Sequence, residues 1–391
     1  MNRSAIAEIF NNVFAPGNAS SPPLPRNHRK VVAAITSCRT PAMGGQVEKC
    51  DKCGHEIVRF HSCRNRHCPQ CQTTARLSWV HDRLQELLPI GYFHAVFTIP
   101  HELNPFALRN KQHFYDLMFR AVKETLLELA ANPKRLGADI GVVAVLHTWG
   151  QTLMDHPHIH CIVTGGGFDQ CAERWKPCSN GFLFPIAVIR KLFRGKLMDF
   201  FIQAVKSGDI AYSGTAIGDA DTSQFNELVS SLYAKEWTVY VKQPFASAEA
   251  LVKYLGAYTH RVAISDSRIV GHDNQSVSFS YKDYANEGKR KIMTVTAAEF
   301  VRRFLLHVLP QGFKKIRYFG FLAPRARRKR LTRCRTFFNK KAVDLKKGSL
   351  PWYQIVKEFM GRDPRRCPKC SIGILQCTVT LLRSIALIPT G

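Results

Sequence analysis

Residues able to do chemistry gather in three places along the 391-residue chain. The first is LHTWGQTLMDHPHIHCIVTGGG, in which His158 and His160 flank Ile159. Residues two apart on a strand point to the same side of the sheet. Two imidazoles so placed can hold one divalent ion while Ile159 packs inward, and a third ligand would come from the adjacent strand. His147 lies on the preceding predicted strand, and a hairpin turning near Leu153 would set it opposite His158. Gln151 and His156 compete for that role. Ordinary hydrogen-bonded histidines are the plain alternative. A zinc hydrolase site of His147, His158 and His160 also fits, with Asp155 the only acidic residue close enough in sequence to act as base. The histidines alone do not name a reaction.

The second place is SAEALVKYLGAYTHRVAIS, where Tyr254 and Tyr258 are four apart on a predicted helix and so share a face. A phenol with a pKa of about 10 is mostly protonated at neutral pH. A metal that polarises a phosphate would compensate for that weak nucleophile. Two such tyrosines would allow two cleavages. Helix packing is the competing explanation for an aromatic pair at this spacing.

The third is the cysteines, 13 in all. Cys50 and Cys53 form one CxxC and Cys68 and Cys71 another, with fourteen residues between the pairs. Two such knuckles can wrap one tetrahedral zinc, so these four are expected to hold a structural Zn2+. His55, His61, Cys63 and His67 are spare donors. Arg59, Arg64 and Arg66 suggest that the module touches DNA, or else form a solvated face. A further knuckle, Cys367 and Cys370, has Cys377 nearby and Cys334 as a distant fourth donor for a second zinc site.

Several elements must position these groups. A Pro/Ser/Asn-rich stretch at 15–28 reads as a loop, and 73–88 has helical spacing of apolar residues. Strands are expected at 91–100, 140–149, 156–164, 236–241, 261–270 and 276–281. Helices are expected at 106–130, 188–205 and 247–259. Strands interspersed with helices imply an α+β or α/β domain with one sheet covered by helices. No stretch reaches the ~18 uninterrupted apolar residues of a membrane span, and no secretory signal is evident at the start. Paired cysteines in a cytoplasmic protein indicate metal rather than disulfides.

The formal net charge is +27. A chain so basic repels itself unless it meets a polyanion, and nucleic acid is the usual one. Residues 302–369 hold 21 Lys and Arg against 3 acidic residues, or two-thirds of the net charge. Within that segment Arg325, Arg327, Arg328, Lys329 and Arg330 form a cluster suited to phosphates.

Taken together, HPHIHCIVTGGG, then KYLGAYTHRVAIS about a hundred residues later, resemble the two-tyrosine HUH transposases of rolling-circle insertion sequences, the insertion-sequence 91 family. SCRNRHCPQCQ resembles their N-terminal zinc-binding domain, and RRFLLHVLPQGFKKIRYFGFLA their C-terminal region; the resemblance spans about residues 30–325. It implies an α+β fold, an HUH endonuclease-like antiparallel sheet with helices, preceded by a small zinc-binding domain. The expected divisions are a variable segment at 1–28, the zinc-binding domain at 29–90, the catalytic domain at 91–310 and a basic C-terminal region at 311–391. His158 and His160 would bind Mg2+ or Mn2+, with His147 as the favoured third ligand. Tyr254 and Tyr258 would form 5′-phosphotyrosine links to single-stranded DNA at transposon ends and target, and Arg261 would hold a substrate phosphate. The expected location is the bacterial cytoplasm, against the nucleoid. A plasmid relaxase or rolling-circle replication initiator would share the chemistry. A non-catalytic zinc-dependent DNA-binding protein would explain the charge and the cysteines but not the histidines.

Overall fold

The alternation of apolar residues in 92–98, 139–149 and 155–169 gives each of these strands two distinct faces, and the fold is built around that difference. The computed structural model describes residues 4–15, 23–178, 183–211, 219–242, 248–259, 263–339 and 350–383; inside them, the side chains of 219–222, 248, 254, 255, 257, 258 and 285 lie outside the description.

In chain order, α1 (Ala5–Val13) and α2 (Arg26–Ser37) precede the hairpin β1 (Gly45–Cys50) and β2 (Glu56–Phe60), and α3 (Gln72–Gln85) follows. The central part contains β3 (Tyr92–Thr98), α4 (Asn104–Arg109), α5 (Lys111–Ala131), β4 (Asp139–Trp149), β5 (Asp155–Asp169), β6 (Arg174–Pro177), α6 (Ile186–Lys206), α7 (Asp219–Ala234), β7 (Val239–Lys242) and α8 (Ala248–Thr259). Then come β8 (Ile269–His272), β9 (Ser276–Asp283), β10 (Lys289–Thr296), α9 (Ala297–Leu306), β11 (Ile316–Gly320), α10 (Arg327–Phe337), α11 (Trp352–Met360) and β12 (Leu375–Leu381).

The central sheet has the order β11-β4-β5-β3-β7, with β6 paired to β5, and its pairings are antiparallel. One face carries Phe93, Ala95, Phe97, Val142, Ala144, Leu146, Ile159 and Cys161, buried beneath α5 and α6 through Tyr115, Phe119, Val122, Phe193 and Phe201. The other face carries Tyr92, Val143 and Ile162, packed against Trp79 and Val80 of α3 and Leu251 and Val252 of α8. Smaller sheets β10-β9-β8 and β12-β1-β2 flank it. The α+β expectation, with an antiparallel sheet and a zinc-binding region at the N-terminal end, therefore holds.

Where the structure departs from the sequence expectation, side chains explain it. The single helix expected at 106–130 is broken at Asn110, whose Nδ2 donates to the Phe106 carbonyl while its Oδ1 accepts from Ala211 N. An Asn that bonds backbone locally competes with the helix ladder. Of the strand expected at 261–270, residues 261 and 262 lie outside the described residues and 263–268 are not strand; β8 starts at Ile269, because Asp266 turns the chain to accept from Ser4 Oγ and Ile6 N at the start of α1. At the N-terminal end, α1 buries Ile6, Ile9, Phe10 and Val13 in a cluster with Phe300 and Phe304 of α9.

Gly256 sets how closely α8 approaches α3. A Cβ at this position would fall 2.1 Å from Val80 Cγ2, a β-branched side chain with little freedom to move away. Gly256→Ala is expected to destabilise the fold by about 1–3 kcal/mol, the usual cost of overpacking. An unchanged melting temperature would refute that account of the helix packing.

Candidate metal centre and the tyrosine helix

The β4–β5 hairpin brings His147 directly opposite His158 in register, and Val145 opposite His160. The ligand atoms of His147, His158 and His160 all lie within 4.8 Å of one another. His147 and His160 are buried and His158 is half-buried, so the cluster opens to one side. Burial pushes the His158 imidazole down to about 4 and holds His160 well below its ordinary range. Near neutral pH these rings carry lone pairs rather than charge, as a metal ligand must.

Local contacts fix the ring orientations. The Nδ1–H of His158 donates to the His156 carbonyl at 2.6 Å, leaving Nε2 free. His160 Nδ1 shares a 2.9 Å hydrogen bond with Nε2 of His94 on β3, a buried neighbour that sequence reasoning missed. Its signal was the alternation in YFHAVFT, which puts His94 on the same sheet face as His160. Trp149 stacks on His147 at 4.8 Å. Metal-ligating histidines usually have such partners on the second ring nitrogen.

The hairpin tip is gripped from behind. Leu153 has a positive φ of 63° although it is not glycine, and its side chain is fully buried. His307 Nε2 bonds the Leu153 carbonyl at 3.0 Å and His307 Nδ1 bonds Thr148 Oγ1 at 3.1 Å. Arg303 donates to the Thr152 carbonyl and Arg268 to the Gln151 carbonyl. Gln151 therefore serves the turn, and the exposed His156 supplies its carbonyl to His158.

Asp155 lies on the opposite side of the sheet. Burial raises its carboxyl to about 7, and its charged neighbour is Lys111 at the start of α5. It is therefore not placed as a base for a hydrolase built on the three histidines.

Tyr254 and Tyr258 fall one turn apart in the backbone of α8; their side chains lie outside the described residues, as does Arg261 altogether. The helix itself is well anchored. Leu251 and Val252 pack with Tyr92, Val143 and Ile162. By strand alternation these share their sheet face with His94, His147, His158 and His160. The helix that carries the tyrosine pair thus covers the histidine face.

The cysteines regroup. Cys50, Cys53, Cys68 and Cys71, expected to share one ion, are divided between two clusters. Cys38, Cys63, Cys68 and Cys71 form one, and Cys50, Cys53, Cys367 and Cys370 the other, each with its sulfurs within 4.8 Å of one another. The division follows from strand pairing: β1 ends at Cys50, whose register partner is Leu375 of β12. Cys334 is buried on α10 and Cys377 is exposed, and neither joins a cluster. His67 instead accepts from Leu309 N at 3.2 Å.

The basic residues also sort themselves. Arg66 donates to the Pro310 and Phe313 carbonyls, and Arg59 pairs with Glu48 at 2.6 Å. Arg327 pairs with buried Glu86 and lies over the Tyr318 ring, while Arg330 meets Asp139 at 3.1 Å. Arg325, Arg328 and Lys329 are exposed. Removing the Arg327 guanidinium leaves Glu86 with Arg83 alone, so Arg327→Ala is expected to cost about 2 kcal/mol, typical of a hydrogen bond to a charged group. Chemical denaturation reads this directly; a variant as stable as the parent would return Arg327 to the DNA-facing set.

Comparison with known proteins supplies the family. Residues 141–330 match the family described as "Putative transposase", and residues 9–99 match the "Transposase zinc-binding domain". The chain is 43% identical over 370 residues to "Putative transposase y4qJ" of Sinorhizobium fredii (strain NBRC 101917 / NGR234), covering 94% of this chain and 93% of that protein. It is 27% identical over 350 residues to "Transposase for insertion sequence element IS801" of Pseudomonas savastanoi pv. phaseolicola, covering 87% and 81%. The Cys38, Cys63, Cys68 and Cys71 cluster lies inside the zinc-binding match, and structural zinc fits it.

Proposed function

Because the chain belongs to the insertion-sequence 91 type transposases that carry a transposase zinc-binding domain, we propose that it nicks and rejoins single-stranded DNA through 5′-phosphotyrosine intermediates, driving rolling-circle transposition. The observation that carries this reading is the packing of α8, with its two tyrosines, on the sheet face that bears the histidine cluster.

His147, His158 and His160 would hold a divalent ion, which when bound supplies Lewis-acid stabilisation of the scissile phosphate. An all-imidazole donor set suits Mn2+ better than Mg2+, which prefers oxygen. The His156 carbonyl and His94 hold the rings of His158 and His160 in orientation. The phenol oxygen of Tyr254 or Tyr258 attacks the phosphorus as its proton passes to solvent. The bond from phosphorus to the 3′-oxygen breaks, and that oxygen leaves with the electron pair and takes up a proton. The product is a 5′-phosphotyrosine and a free 3′-hydroxyl. Attack by a 3′-hydroxyl on the phosphotyrosine reverses these steps, so rejoining needs no nucleotide cofactor.

A relaxase or replication initiator would use the same chemistry, but the family and its zinc-binding domain favour transposition. The experiment is incubation with a single-stranded oligonucleotide from the end of the insertion sequence, with Mn2+ or Mg2+. The expected product is a detergent-resistant protein–DNA adduct. Cleavage without any adduct would reject the tyrosine mechanism.

DNA binding should rest partly on Arg325, Arg328 and Lys329. Replacing all three with Ala is expected to weaken binding to every sequence alike. The salt dependence should also flatten, by about 0.7 in log–log slope for each phosphate that is no longer neutralised. Weakening confined to one target sequence would mean that these residues read bases.

A further inference from the structure

We infer that Cys50, Cys53, Cys367 and Cys370 form a second structural zinc site, which staples the C-terminal segment of the chain to the β1–β2 hairpin. Cys367 and Cys370 fall outside the residues matched by either family, 9–99 and 141–330.

The sulfur geometry is that of a tetrahedral thiolate site. Cys50 and Cys370 Sγ are 3.7 Å apart, as are Cys53 and Cys367 Sγ. Four sulfurs at ~2.3 Å from one zinc lie about 3.8 Å from each other. A disulfide would need ~2.05 Å.

The backbone on both sides is shaped alike. Gly54 N donates to the Cys50 carbonyl at 3.2 Å, and Ser371 N to the Cys367 carbonyl at 3.0 Å. Gly54 and Ser371, each just after the second cysteine of its knuckle, have φ of 70° and 58°. Ser371 adopts this left-handed conformation without being glycine, at a cost the fold must offset. The turns aim N–H groups at sulfur: Lys52 N and Cys53 N lie 3.4 and 3.5 Å from Cys50 Sγ, and Gly373 N lies 3.4 Å from Cys370 Sγ. Such donors stabilise the thiolate, the form that binds metal.

The two knuckles are locked together independently of any ion. Asp51 N donates to the Ile374 carbonyl and Asp51 Oδ1 accepts from Ile374 N at 2.8 Å. A Cβ on Gly373 would fall 2.3 Å from Cys50 Sγ, so only glycine lets the knuckles close. Cys50, Cys367 and Leu375 form a small buried cluster of their own. With so few apolar groups here, metal ligation would supply much of the cohesion.

The staple joins residues 314 apart in sequence, Cys53 and Cys367. It brings the Arg365–Arg366 region beside β2, where Arg59 donates to the Pro364 carbonyl. It also holds α11 near α3, the helix on which α8 rests.

Metal analysis of the full chain, purified without chelator, tests this. The expected zinc content of Cys367→Ser/Cys370→Ser is one ion per chain lower than that of the parent, whatever the histidine cluster holds. Equal zinc content in the parent and the variant would overturn the site. Should the variant fail to fold, the parent alone still decides, through alkylation followed by mass spectrometry. Cys53 and Cys377 are both exposed. Bound zinc should protect Cys53 while Cys377 reacts, and a chelator should abolish that protection. Equal labelling of Cys53 and Cys377 before chelation would overturn the proposal.

Discussion

The double variant Tyr254→Phe/Tyr258→Phe is expected to fold, bind single-stranded DNA and form no covalent adduct. Tyr→Phe removes one oxygen and keeps the ring, so any packing contribution of α8 survives. A purely structural role for the pair would leave adduct formation intact. The nucleophile reading requires its complete loss, because no other group on α8 can form a phosphotyrosine. Each single variant keeps one phenol and should retain one cleavage while failing to complete both strand transfers. Gel analysis of the oligonucleotide and mass spectrometry of the linked peptide give the readout. An adduct on any tyrosine other than these two would overturn the assignment.

The second large effect is expected at the histidines. His158→Ala/His160→Ala should lower the nicking rate by on the order of 10³-fold, since loss of metal stabilisation removes several kcal/mol and each decade is worth about 1.4 kcal/mol. Binding of single-stranded DNA should change little. His158→Ala alone is the cleaner test, because that ring is half-buried and its Nδ1 proton bonds only a local carbonyl. His147 is buried and stacked against Trp149, so His147→Ala would also leave a cavity and confound catalysis with stability. Nicking that survives in the double variant, with Mn2+ present, would move the metal site elsewhere.

Much of the site was legible because its signals are local. A period of two decides that His158 and His160 face one way whatever else the chain does, and a period of 3.6 decides that Tyr254 and Tyr258 are one turn apart. Composition likewise fixes the net charge of +27 and the need for a polyanionic partner. The CxxC spacing identifies a metal knuckle because two thiolates on one tight turn suit one ion. His147 was reachable through a hairpin argument, since β4 and β5 are adjacent in sequence and their turn sets the register.

The tertiary structure decided what depends on distant pairing. A knuckle is only half a zinc site, and its spacing says nothing about which other half it meets. The pairing of β1 with β12 gives Cys50 and Cys53 to Cys367 and Cys370, while Cys38, not part of any CxxC, joins Cys63, Cys68 and Cys71. Charge shows the same limit. The run from Arg325 to Arg330 is basic at five of its six positions, but buried Glu86 draws Arg327 inward and Asp139 pairs with Arg330, while Arg325, Arg328 and Lys329 stay exposed. Sequence sets what each segment can do locally, whereas a carboxylate or thiolate far away along the chain decides with whom it does it, because close approach in space is a property of the fold alone.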